Sequence, residues 1–334
     1  DSNPKVSPNG KHIAYLGYQD KVQAYQNTQL SIMDTNGDNT SLISFNVDSS
    51  INDYHWDSNS KGIYYSYDKL GDTKIAYLNL DGSFRDLAEN LGGNSIGRPY
   101  GGGSFSVSNN GVIAYTNTSY KHPSELTVVN GKKSTQITNL NSHLLENRNL
   151  GFVEEIWYKS SFDNRDIHGW VVYPPNYDSS KSYPFLVENH GGPISNYGSR
   201  FSAEMQLYAA AGYIVFYPNP RGSTSYGEEF ANLLHHNYPA EDYLDVMDGV
   251  DFCIKNGIAN ENMLYVTGGS AGGLMTAWMI GKNNRFKSAV VVKPVMNWIS
   301  KTLTADNYFQ YSDTRLDGQP WENFQEYWDF SPIS

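Results

Sequence analysis

The chain has 334 residues, enough for two domains at roughly 100–200 residues each. Lys and Arg number 24 and Asp and Glu 35, a formal charge of −11, which excludes a general nucleic-acid binder with a basic face and a polybasic membrane-surface protein. A single cysteine, Cys253, rules out an internal disulfide, and no apolar run approaches the roughly 18 residues of a membrane span.

In chain order, three segments align at a spacing of 50 residues. They run from Val6 to Tyr15, from Trp56 to Tyr65 and from Ser106 to Tyr115. Each is a polar turn followed by a strand ending in Ile-x-Tyr, and the third needs a one-residue shift around Gly111. Each unit continues with an alternating strand that runs into Asn36-Gly37, Asp81-Gly82 or Asn130-Gly131. These dipeptides predict tight hairpins with both central residues at positive φ. A further short strand closes each unit, as in Ser41 to Ser44 and Thr135 to Thr138. Three to four strands per unit of about 50 residues predict β-propeller blades over residues 1–150 rather than a plain sandwich.

Beyond residue 150 strands alternate with helices. Gly169–Tyr173, Tyr183–Glu188, Tyr213–Tyr217, Met263–Thr267 and Ser288–Val292 read as buried strands. Phe201–Ala211, Ala240–Lys255 and Gly273–Lys282 read as helices. Near-continuous apolar strands between helices predict a parallel α/β sheet covered on both faces, over residues 151–334.

Gly268-Gly-Ser270-Ala-Gly272 fits Gly-x-Ser-x-Gly. The pattern alone is common, but here the serine follows a buried strand and opens a helix, the setting of a nucleophile elbow. A sharp turn there exposes Oγ, small neighbours let the backbone pack closely, and the helix start aims N–H groups at the reacting carbonyl. His190-Gly191-Gly192-Pro193 ends an earlier strand and resembles the loop that gives the second oxyanion donor in hydrolases of this fold. The expected donors are the N–H groups of Ala271 and Gly192, with Ser270 as nucleophile.

Together with Tyr217–Ser223, Tyr226-Gly227, Asp242-x-x-Asp245 and Phe330-Ser-Pro-Ile333, these motifs stand in the order seen in the prolyl oligopeptidase family of serine peptidases. The chain resembles that family from about residue 155 onward, and most of all its acylaminoacyl-peptidase-like branch. The resemblance implies a propeller capping an α/β-hydrolase domain. It also implies short or N-blocked peptide substrates, cleavage through a Ser270 acyl-enzyme, and no cofactor or metal. Arg221 and Tyr226 enter as substrate-binding candidates, with bracing of the loop the favoured role for Arg221. In the dipeptidyl-peptidase branch a Tyr commonly stands where His190 stands, so His190 favours backbone donation. Glu154-Glu155 and Glu228-Glu229 read as solvated charges. A homo-oligomer stays open. A carboxylesterase on the same fold and a catalytically dead binding protein are the alternatives.

The sequence departs from the family in one respect. In this fold the order is Ser, then Asp or Glu, then His. The histidines stand at 12, 55, 122, 143, 168, 190, 235 and 236, all before Ser270. His235-His236 fits neither a base nor a metal pair. Asp242, Asp245, Asp248 and Asp251, three apart on one helix, read as solvated or paired carboxylates rather than a cation site. Cys253, Met275 and Trp278 read as packing. With three blades and no downstream His, the sequence reads as the middle of a longer enzyme, inactive alone. The opening residues lack the apolar segment of a signal peptide, and the compartment stays open between cytoplasm and a periplasmic or secreted location.

Overall fold

The computed structural model describes residues 1–93 and 95–334. Three antiparallel four-stranded meanders come first, each with its strands neighbouring in sequence order. The first holds β1 (Ser2–Val6), β2 (His12–Gly17), β3 (Gln29–Asp34) and β4 (Ser41–Leu42). The second holds β5 (Ile51–Trp56), β6 (Gly62–Lys69), β7 (Asp72–Asn79) and β8 (Phe84–Ala88). The third holds β9 (Phe105–Val107), β10 (Ile113–Ser119), β11 (His122–Asn130) and β12 (Lys133–Gln136).

The repeated turn has one geometry. Gly10, Ser60 and Gly111 all take positive φ (71°, 57° and 80°) and donate back to Ser7, Asp57 and Ser108. The turn closes from Ser7 to His12 and from Asp57 to Gly62, but from Ser108 to Val112, one residue shorter. That shorter turn is the shift the sequence required. The sheets pack face to face. Ile63, Tyr65 and Leu78 of the second meander meet Ala14, Leu16 and Leu30 of the first. Its Ile75 and Tyr64, on the opposite face, meet Ile113, Tyr115 and Val129 of the third. The first meander thus buries Ala14 and Leu16, and leaves Ile13 and Tyr15 only half-buried.

The hairpin chemistry differs from expectation. Only the glycines have positive φ: Gly37 at 93°, Gly82 at 86° and Gly131 at 62°. In the first two hairpins Asp34 pairs with Asp38 and Asn79 with Ser83, so three residues form the loop and the glycine takes its last position. That is a type I turn with a bulge rather than a two-residue turn. In the third, Asn130 pairs with Lys133 and remains in the strand.

After a short helix, α1 (Ser142–Leu145), a six-stranded sheet follows. Its strands are β13 (Val153–Lys159), β14 (Asp166–Val172), β15 (Phe185–Asn189), β16 (Ile214–Asn219), β17 (Leu264–Gly269) and β18 (Ser288–Val292). The order is β13-β14-β16-β15-β17-β18. β15, β16, β17 and β18 are parallel as expected, whereas β13 and β14 pair antiparallel and make the sheet mixed. β15 and β16 are buried throughout, which fits strands covered on both faces.

The helices are α2 (Ala203–Ala210), α3 (Glu228–Ala231), α4 (Glu241–Lys255), α5 (Ala271–Lys282), α6 (Trp298–Thr304), α7 (Tyr308–Thr314) and α8 (Phe324–Asp329). α4 buries Val246, Val250 and Cys253 against the sheet. Trp298 of α6, Leu316 just past α7 and Tyr327 of α8 cover the start of α5, packing with Ala271 and Leu274. Among the described residues no helix is long and apolar enough to cross a membrane.

Candidate active site

Ser270 is the hinge between β17 and α5. Its backbone lies at φ 61°, ψ −119°, a region a residue with a Cβ enters only under strain. The neighbouring glycines make this turn possible. A Cβ at Gly268 would collide with the Gly272 carbonyl, one at Gly272 with the Asn189 carbonyl, and one at Gly273 with the Val292 carbonyl. The elbow is therefore wedged between β15 and β18. Its serine side chain is exposed while the flanking glycines and Ala271 are buried.

The His190–Pro193 loop lies alongside. A Cβ on Gly191 would stand 3.5 Å from that of Ser270. The Gly191 N–H is occupied, donating to the Tyr100 hydroxyl at 2.7 Å. The Gly192 N–H makes no hydrogen bond among the described residues, and Gly192 sits at φ 133°. Ala271 opens α5, where an N–H has no intrahelical acceptor. Ser270, Gly191 and Gly192 line one cleft of about 660 Å³ with Arg98, Tyr100 and Lys293.

No histidine lines that cleft among the described residues. The His190 ring is buried, with Nε2 3.0 Å from Ser223 Oγ and Nδ1 3.0 Å from the Gly191 carbonyl. Burial lowers its pKa to about 4, so it is neutral near pH 7. His235 and His236 stack at 4.0 Å, and His236 meets the Asp313 carbonyl.

The structure does not bring Arg221 or Tyr226 to the cleft. Arg221 is buried and grips Asp245 through Nε and Nη2 at 2.8 and 2.9 Å, and also meets Ser160 and Asp163. The Tyr226 hydroxyl lies 2.8 Å from His168 Nδ1 and accepts from Asn219. Tyr226 also lines a separate cavity of about 600 Å³ beside Asp48, Trp157 and Arg165.

The paired glutamates are engaged rather than merely solvated, because hydrogen-bonding groups face each of them. Glu154 accepts from the Tyr173 hydroxyl, and Glu155 pairs with His168 at 3.0 Å. Glu228 accepts from the Asn27 N–H, and Glu229 takes Arg165 in a two-pronged pair at 2.7 Å. On α4, Asp245 holds Arg221, Asp248 accepts from the Ser161 N–H and Asp251 pairs with Arg285. Asp242 is buried at the start of the helix, and burial raises its pKa to about 7. Among the described residues no group of three or more His, Cys, Asp or Glu is placed to hold a metal ion.

Arg98, Tyr100 and Lys293 of the cleft escaped sequence reasoning, and the first two share one segment. Both sit on the connection between the second and third meanders, where residues 92–103 include six glycines. That long glycine-rich segment was the available signal. The Ile96 and Gly97 carbonyls accept from the first N–H groups of α2, and Arg98 forks onto Glu204 at 2.7 and 3.1 Å. Arg98 Nη1 also lies 3.2 Å from Glu188.

Residues 199–334 match the model of the prolyl oligopeptidase family, and they contain this elbow. The uncharacterized peptidase YuxL of Bacillus subtilis strain 168 is 35% identical over 281 residues, covering 83% of this chain and 41% of that protein. Dipeptidyl-peptidase 5 of Schizosaccharomyces pombe is 28% identical, over 96% of this chain and 47% of that protein. Among solved structures, acylaminoacyl peptidase of Pyrococcus horikoshii shares the fold with a TM-score of 0.83 at 24% identity, over 97% of this chain and 49% of that one. The chain thus spans less than half the length of each of these three proteins.

Proposed function

We propose that this chain carries the nucleophile of a serine peptidase. The observation that carries the reading is the exposed Ser270 on a strained strand-to-helix elbow, beside the unoccupied Gly192 N–H and in a cleft. Ser270 Oγ attacks a peptide carbonyl and forms a tetrahedral oxyanion held by the Ala271 and Gly192 N–H groups. Expulsion of the amine leaves an acyl-enzyme that water hydrolyses. One such donor is worth about 3–4 kcal/mol of transition-state stabilisation. Substrates are short or N-blocked peptides, with residues 1–150 forming propeller blades that limit access and residues 151–334 the hydrolase domain. Arg221 and Tyr226 brace this domain from within.

The base is the missing participant, since among the described residues no histidine lines the cleft and the relatives are about twice as long. It would come from outside these 334 residues, and the segment alone is expected not to turn over peptides. The test is a fluorophosphonate probe on the longest natural polypeptide containing these residues. Ser270 should be labelled and Ser270→Ala should not. A folded, complete protein with Ser270 unlabelled overturns the reading. Comparing kcat/KM on matched peptide and ester panels separates a peptidase from an esterase.

A further inference from the structure

We propose that Tyr100, which belongs to the connection between two meanders, is a positioning residue for the oxyanion loop of Ser270; this rests on the peptidase reading above. Its hydroxyl accepts the Gly191 N–H at 2.7 Å. Gly191 and Gly192 are adjacent, and with the Gly191 N–H fixed only the φ and ψ of Gly191 separate that peptide plane from the next one, which carries the Gly192 N–H and whose carbonyl lies 3.0 Å from His190 Nδ1. The neighbouring glycines give this loop little steric restraint of its own, and Gly192 lies at φ 133°. An external hold is therefore needed if the Gly192 N–H is to point at one place in the cleft.

Tyr100 is itself held by three contacts. Its ring packs on Tyr197 with centroids 4.7 Å apart. Its backbone forms a β-bridge with Tyr197, and the Gly198 N–H donates to the preceding Pro99 carbonyl at 2.9 Å. Two residues earlier, Arg98 is locked to Glu204 of α2. The hydroxyl is thus presented by a segment anchored on the sheet domain at several points. Tyr100 also lines the cleft with Ser270, so a movement of this segment would be felt at the oxyanion position. A misplacement of about 1 Å in such a site can cost on the order of 100-fold in rate.

The experiment compares wild type, Tyr100→Phe and Ser270→Ala in the longest natural polypeptide. Phe keeps the ring and its packing and removes only the acceptor. The first readout is kinact and KI for a fluorophosphonate probe. A positioning role predicts that kinact falls about 10-fold, with KI within about twofold and Tm within about 2 °C. The second readout, independent of reactivity, is amide hydrogen exchange of the 190–193 segment. It should quicken about 10-fold in Tyr100→Phe. An unchanged kinact in a labelled wild type, a loss confined to KI, or unchanged exchange overturns the inference. An unlabelled wild type counts against the peptidase reading instead, and exchange then decides the inference by itself.

Discussion

Glu188 stands near the carboxyl end of β15, fully buried, with Arg98 Nη1 at 3.2 Å. Burial raises its pKa from 4.5 to about 8, with Arg98 acting in the opposite direction. A carboxyl with a raised folded pKa stabilises the fold at low pH and loses that contribution as pH climbs from the unfolded value through the folded one. Stability should therefore decline between about pH 4.5 and 8 on account of this residue. Glu188→Gln should flatten that part of the profile, as read by Tm against pH. If the wild-type and variant profiles run parallel, Glu188 is not buried as described. His190 works at the other limb. Its folded pKa of about 4 lies below the unfolded 6.5, so stability falls as pH drops through that interval. The His190-Gly-Gly-Pro193 motif was legible in the sequence, but the burial of its ring was not. Burial arises from Ser223 and Tyr197, and Ser223 is distant in the chain until the sheet forms.

At the scale of the element, the elbow and its helix predict opposite outcomes for two glycines of α5. Gly272→Ala forces a Cβ into the Asn189 carbonyl between strand and helix, and should cost about 3 kcal/mol or more in denaturant unfolding. Gly281→Ala meets no atom within 4 Å and should stabilise the helix by up to about 1 kcal/mol. Equal effects would mean that the close approach at Gly272 is absent. The elbow was readable because strand, serine and helix are contiguous in sequence. The hairpins were readable in place and not in type. Asn36, Asp81 and Asn130 stay at negative φ, so the glycine takes the left-handed position alone. The helices after β18 left little periodic signal because each has six or seven residues and packs through single large side chains such as Trp298 and Tyr327.

Across the whole molecule, the meanders and the mixed sheet are joined by buried polar contacts that no local pattern announces. Arg200, 3% exposed, reaches from the sheet domain to the Gly71 carbonyl and Thr73 Oγ1 of the second meander, with Asp68 at 3.9 Å. Removing such a group strands its buried partners and typically costs about 3–5 kcal/mol. Arg200→Met should lower Tm and speed proteolysis in the connection 137–152. A variant that melts and resists protease like wild type would show that the joint does not depend on this arginine. The repeats and the α/β alternation were visible in the sequence because each is periodic. The joint was not, since Arg98, Tyr100 and Arg200 have no period and acquire partners only when the two parts meet. A last consequence concerns Trp170. It is fully buried at this seam, stacked at 5.5 Å on Tyr217, and its indole N–H donates to the Tyr120 hydroxyl of the third meander at 2.9 Å. Its ring also lies where a side chain on Gly71 would stand. The molecule therefore carries a native optical gauge of its own cohesion. Emission lost on Trp170→Phe isolates this indole, and a red shift of that component reports water entering between meander and sheet before either has unfolded.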